Sequence, residues 1–383
     1  VIKRENCLHS PGSTIIKTGG DRLSRKPIAV IGGGHVGHAM AADLTLAGYK
    51  INFYEHPRFR EKFKPTLEKG EVELWGAGRT GRAKIHKITQ NMEKALEDVE
   101  LINVVLPAFG HDLFFEEMIP FLREGQVVVI WAGDFGSLRL AHLLGEKAKE
   151  IFIAETNTVP YGCRLSGPAQ VEVLLTALRV MISALPSKNT DIVLKKLREI
   201  YPILVPAQNV LAVAFSNPNP LVHPPGVLLN VGRIQYSKEF YMYKEGITEA
   251  VARVIHAVYK EIKKVAEAFG FEIISYTDRD FTTKVSVFTA DWQAPFDTIG
   301  TIERFKGPNS LKNRYITEDL PYGLVPISQL GRKVGVATPL IDSLIDIGSV
   351  ICQDDFWSSG RTLDTLGLAK LSKEEIMKLL KEG

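Results

Sequence analysis

Residues 28–37 read IAVIGGGHVG. Four apolar residues run straight into Gly32, Gly34 and Gly37, with His35 and Val36 between the last two. Each glycine has a task in a loop that cradles a pyrophosphate. Gly32 allows the tight turn, Gly34 lets the backbone approach the phosphates, and Gly37 lets the following helix pack closely on the sheet. The free N–H groups at the start of that helix then face the anion. Downstream, HAMAADLTLAGY has the apolar spacing of a helix stopped by Gly48, and KINFYE is a short strand ending at Glu55. A carboxylate about 20 residues past the first glycine is placed to accept the hydroxyls of an adenosine ribose. It would repel a 2′-phosphate, so NAD is the expected cofactor; His56, Arg58 and Arg60 just beyond it leave NADP open.

Further along, VELWGAG at 72–78, LINVVLPAF at 101–109, GQVVVIWA at 125–132 and IFIAET at 151–156 read as strands. Near-continuous apolar strands separated by helical stretches predict an α/β, Rossmann-like, mostly parallel sheet. The loop after the 101–109 strand would reach the carboxyl edge of that sheet and bring Pro107 there; His111 just beyond could shape the nicotinamide side of the cleft or simply be exposed. At 383 residues the chain suggests two domains. The first is expected at 26–187, with LPSKNT at 185–190 as the link outward, and an all-α domain at 188–383. Residues 245–269 carry a seven-residue apolar stripe and predict a spine helix of about 37 Å. His256 within it reads as a packing or surface histidine. A second helix is expected at 339–352, and a short closing one capped by Ser372 and Glu375.

Composition narrows the class. A 45% hydrophobic and 24% charged chain without an apolar run of spanning length reads as a soluble globular protein, away from membranes. Cys7, Cys163 and Cys352 fit neither a disulfide framework nor a zinc site, which favours a reducing, cytoplasmic setting. Residues 1–27 hold six Lys/Arg against two Asp/Glu, so this segment accounts for the +3 net charge and the remainder is near neutral. Residues 1–25 read as a leader, and no folded basic face for nucleic acid is evident. A homodimer is expected only from the commonness of two-fold assemblies.

The chemistry should sit downstream. His223 lies in NPNPLVHPPGVLLNVG between Pro220 and Pro224–Pro225, a setting ill suited to a helix interior. It is either a proton carrier working near neutral pH or a structural loop histidine. In KNRYITEDLPYGLVP, Glu318 or Asp319 could orient an imidazole, and Arg314 could clamp a carboxylate; ion pairs on a solvated loop are the alternative. Asn157, Thr158, Pro160, Tyr161 and Arg164 follow a predicted strand end and could reach the nicotinamide or the substrate. The 352–367 segment, with Trp357 and Arg361, suits a cleft lid or a helix junction. No metal site is assigned.

Together IGGGHVG, ETNTVPYGCR, NPNPLVHPPGVLLNVG, RYITEDLPYGLVP and GRTLDTLGL, spread over residues 28–368, resemble the octopine/nopaline (opine) dehydrogenases. The resemblance implies a dinucleotide domain followed by a helical domain, and reduction by NAD(P)H of the imine formed from an L-amino acid and a 2-oxo acid such as pyruvate. It implies His223 as catalytic histidine, Asp319 as its acidic partner, and Arg314 near the substrate; Asn157, Tyr161 and Arg361 are added as substrate-side candidates from their positions. A dehydrogenase reducing a carbonyl, of the 2-hydroxy-acid, ketopantoate or glycerol-3-phosphate kind, is the alternative on the same architecture. A protein that binds NAD without turnover is a third.

Overall fold

The computed structural model describes residues 26–237, 239–281, 291–295 and 297–383; the leader at 1–25 lies outside these. The chain opens with β1 (Ile28–Ile31), helix α1 (His35–Leu46) and β2 (Ile51–Tyr54). β3 (Glu71–Gly76), β4 (Gly81–Lys84), β5 (Lys87–Thr89), β6 (Leu101–Val104), β7 (Val127–Ile130) and β8 (Phe152–Thr156) follow. Next come β9 (Tyr161–Gly167), β10 (Gln170–Ala177), β11 (Val180–Leu185), β12 (Leu204–Pro206) and the two-residue β13 (Trp292–Gln293).

The main sheet runs β12-β11-β8-β7-β6-β1-β2-β5, parallel throughout except where β11 meets β8. Alternation along β1 explains its burial on both faces. Ile28 and Val30 enter one apolar core while Ala29 and Ile31 enter the other. β1 has β2 on one side and β6 on the other, so the loops after β1 and β6 diverge there and leave a crevice.

Three features depart from the sequence expectation. The expected boundary at 187 falls inside the sheet's last unit, because the helix Thr190–Leu197 leads into β12, which pairs in parallel with β11. LPSKNT therefore ends a strand and starts a helix. Second, β3, β4, β9, β10 and β13 form a separate five-stranded sheet, with β3, β4, β9 and β10 packed on α1. Third, the spine helix is Glu249–Phe269, about 31 Å long, and starts four residues later than the expected 245. Thr248 accepts the Val251 N–H at its start, and Gly270, in the left-handed region at φ +84°, ends it. Glu261 on this helix accepts the N–H groups of Leu340 and Ile341 and so caps the expected helix Pro339–Cys352. The closing helix Lys373–Glu382 has the expected reciprocal cap between Ser372 and Glu375. Among the described residues, no helix is long and apolar enough to cross a membrane.

Candidate active site

A cleft of about 590 Å³ lies between the carboxyl edge of the main sheet and the helical domain. Gly34, His35, Val36 and Pro107 line its first end. Space accounts for the glycines. A Cβ on Gly32, which sits at φ +113°, would stand 2.5 Å from the Val105 carbonyl oxygen, and one on Gly37 would stand 1.8 Å from the Gly32 oxygen. At Gly34 a Cβ would meet nothing within 4 Å, and no side chain caps α1 there. That bare helix start opening into a cleft is the cradle a pyrophosphate requires. Glu55, at the end of β2, is buried and fixed beside the loop, with Oε2 accepting the Gly33 N–H at 2.9 Å and Oε1 the His56 N–H at 2.7 Å. Burial raises its pKa and these two N–H groups oppose the rise. Each oxygen keeps a lone pair for a ribose hydroxyl, so these residues fit a dinucleotide. His35 accepts the Leu165 N–H at 2.8 Å, tying β9 to α1; burial, aided by Arg164 and Arg314, holds its imidazole down to about 4.

The second end is assembled from side chains. His223 sits within the helix Pro218–Leu228, not in the stiff loop expected from its prolines. Pro218 and Pro220 occupy the first turn, where N–H groups have no intrahelical partner, and the Asn217 side chain accepts the Asn219 N–H. Pro224 and Pro225 do remove interior donors, but nearly the whole helix is buried, and packing overrides propensity. His223 Nδ1 lies 2.7 Å from Asp319 Oδ2, and Nε2 lies 3.2 Å from the Tyr243 hydroxyl. The imidazole stacks on Tyr315 with ring centroids 3.8 Å apart. Burial, with Arg314 adding to it and Glu318 opposing, pushes His223 down to about 3. Burial and then Glu318 push Asp319 up, against Arg314. Both shifts remove charge from a dry interior, so the resting imidazole is neutral.

Arg314 lines the cleft with its side chain half exposed and pairs with Glu318 at 2.9 Å. The other Glu318 oxygen accepts the Ala108 N–H at 2.9 Å, across the domain boundary. Asp134 is a further buried acid at this end, taking a hydrogen bond from Asn217 Nδ2 at 2.6 Å while burial and the neighbouring carboxylates push its pKa well up.

Three expected site residues have other partners. Arg361 does not line the cleft; it is buried and donates to the carbonyls of Gly133, Asp134 and Ala108. His111, expected near the nicotinamide, is fully buried off the cleft, its Nδ1 3.2 Å from Arg361 Nη2 and its ring stacked on Phe115. Asn157 is also buried off the cleft, accepting the Met181 N–H and donating to the Ser216 carbonyl. Tyr161 does line the cleft, but its hydroxyl donates to Asp43 on α1. Trp357 donates to Asp346 and lies under Arg332, which makes the 352–367 segment a helix junction. His256 pairs with Asp278 and stacks on Phe281. Sequence reasoning missed Tyr243, Tyr315 as a stacking platform, and Asp134. Tyr315 stood inside a motif already singled out, whereas nothing local marked Tyr243.

Comparison with known proteins gives the family and the fold. The family model for the α-helical domain of NAD/NADP octopine/nopaline dehydrogenases matches residues 206–352, starting where the main sheet ends. The chain is 32% identical to an opine dehydrogenase of Arthrobacter sp. (strain 1C), over 91% of this chain and 97% of that protein. It is 24% identical to a vitopine synthase of Allorhizobium ampelinum, over 92% and 98%. Among solved structures, an octopine dehydrogenase with NADH and L-arginine shares the fold at a TM-score of 0.70 and 21% identity, covering 94% of this chain and 98% of that one.

Proposed function

Since the chain belongs to the opine dehydrogenase family and is an NAD(P)-dependent oxidoreductase acting on small molecules, we propose that it reduces the imine formed between an L-amino acid and a 2-oxo acid such as pyruvate. The observation that carries this reading is the buried His223–Asp319 pair, 2.7 Å apart, in the cleft that also receives the glycine loop and Arg314.

NAD(P)H supplies hydride to the substrate carbon. The residues of the chain handle position and protons. Gly32, Gly34 and the start of α1 hold the pyrophosphate, and Glu55 takes the ribose hydroxyls, which favours NAD over NADP. Arg314 clamps the 2-oxo acid carboxylate with the two-pronged geometry of a guanidinium. Asp319 engages Nδ1, so Nε2 is the nitrogen that exchanges a proton with the substrate oxygen or nitrogen. Tyr315, stacked on the ring, holds its plane. An anionic substrate at Arg314 offsets part of the positive charge that, after burial, holds His223 down, so the proton affinity of the imidazole rises as the oxo acid arrives.

The test follows NADH oxidation with a panel of 2-oxo acids, each with and without L-amino acids. Opine chemistry requires both compounds for turnover. Oxidation by the oxo acid alone would replace it with a carbonyl-reducing dehydrogenase, and cofactor binding without any turnover would indicate a sensor.

A further inference from the structure

The product of the proposed reaction carries two carboxylates, one from each substrate, and Arg314 accounts for one of them. The cleft holds a second arginine. Arg164, on β9 of the first domain, lines it together with His223 and Arg314. Its guanidinium carbon lies 4.9 Å from the centroid of the Phe305 ring, and Phe305 meets Tyr243 edge-on at 6.2 Å. Tyr243 in turn reaches His223 Nε2 at 3.2 Å. A row of aromatic rings therefore connects this cation to the proton carrier. Its positive charge reaches that far, since it contributes to holding down both His35 and His223.

The cations of this cleft differ in how they are neutralised. Arg314 has Glu318 at 2.9 Å, and Lys306 has Glu239 at 2.6 Å. Arg164 has no carboxylate partner among the described residues; one of its N–H groups donates to the adjacent Cys163 carbonyl. Most of a five-donor fork thus has no protein acceptor among the described residues, and it lines a half-open, partly apolar cleft where a carboxylate ligand would gain charge-assisted hydrogen bonds.

We propose that Arg164 binds the carboxylate of the amino substrate, so that two arginines, one from each domain, hold the two carboxylates on either side of the imine. The proposal rests on the opine reading above. It also places the side chain of the amino acid against the neighbouring wall, where Gly162, Leu175, Trp292 and Ile302 lie. The carboxylates among the described lining residues are Asp134 and Glu318, and both are engaged, with Asn217 and with Ala108 and Arg314. A cationic side chain has no free acceptor there, so the amino substrate is one without a cationic side chain.

The experiment compares wild type with Arg164→Gln and Arg164→Lys, using L-methionine, L-arginine, pyruvate and NADH. Arg164 is exposed, and NADH affinity serves as the check that the fold and loop survive. Expected for the Gln variant is a rise in KM for methionine of about 10- to 100-fold, the size of a lost charge-assisted hydrogen bond. The KM for pyruvate should move less than about threefold, with partial recovery in the Lys variant. Wild type should use methionine at least about tenfold better than arginine, in kcat/KM, the cost of an unpaired buried charge. A methionine KM that stays put, or a pyruvate KM that rises equally, overturns the assignment of Arg164 while leaving the two-substrate requirement intact. Arginine used as well as methionine overturns the exclusion of a cationic side chain. Turnover of pyruvate without any amine removes the opine reading, and Arg164's role falls with it.

Discussion

At one end of the cleft the ligand meets backbone and the space that missing side chains leave; at the other it meets side chains drawn from distant segments. The nucleotide end is made by Gly32, Gly34 and the start of α1, within a run of a few residues. The catalytic end joins His223 to Asp319, 96 residues apart, with Tyr243 and Tyr315 around them, all held by buried packing. The first end binds by geometry that cannot titrate. The second depends on burial to set the charge of His223 and Asp319. Binding and proton transfer are therefore separable, and each end can be damaged without the other.

The largest effect should come from His223→Ala. Loss of a positioned proton carrier lowers kcat by about 10²- to 10⁴-fold, while the NADH dissociation constant, read by cofactor fluorescence, stays within about twofold. A matching loss of NADH affinity would break the division between the two ends.

The next effect is on stability. His111 is held well below its ordinary value by burial first and by Arg361 second, and it is neutral with Nδ1 turned to that arginine. Its folded pKa lies below its unfolded value near 6.5, so between the two the unfolded chain binds more protons. The histidine's contribution is therefore complete above about pH 6.5 and declines as pH falls, by up to about 1.4 kcal/mol per unit. Buried carboxylates such as Asp134 and Asp319 act with the opposite sign, so the comparison must be made against a variant. Urea unfolding of wild type and His111→Gln at pH 7.5 and 5.5 should show the wild type losing more stability on acidification. Parallel curves would count against a neutral His111.

The smallest effect sharpens the nucleotide end. Glu55→Ala should narrow the preference for NADH over NADPH by about tenfold, the size of one charge-assisted contact. Binding of both cofactors, measured by titration, reports it. An unchanged ratio would mean that Glu55 does not read the ribose.

The same contrast explains what could be read in advance. The glycine loop, α1 and strands β1, β2, β6, β7 and β8 are local patterns of apolar period and turn chemistry, so residues 28–156 showed most of their architecture. The second sheet was hidden because β9 and β10 find partners in β3 and β13, and such pairings leave no mark in either segment alone. Proline at 220, 224 and 225 argued against a helix at His223, and the structure overturns that reading, because a buried helix tolerates what an exposed one would not. Arg361 and His111 illustrate the reverse error. Both residue types suit a site, yet here they join two domains through buried carbonyls, a role that only the assembled fold defines.

Glu318 has a consequence for how the enzyme's ligands must be studied. One of its oxygens holds the backbone N–H of Ala108, next to the Pro107 loop that borders the cofactor end, and the other holds Arg314 at the substrate end. A shift in that loop is transmitted through a single carboxylate to the guanidinium, and the reverse is equally true. With the proposed oxo acid at Arg314, Glu318 would link its binding to that of the cofactor, each changing the other's affinity by the same factor. An affinity for either has meaning only when the occupancy of the other is stated.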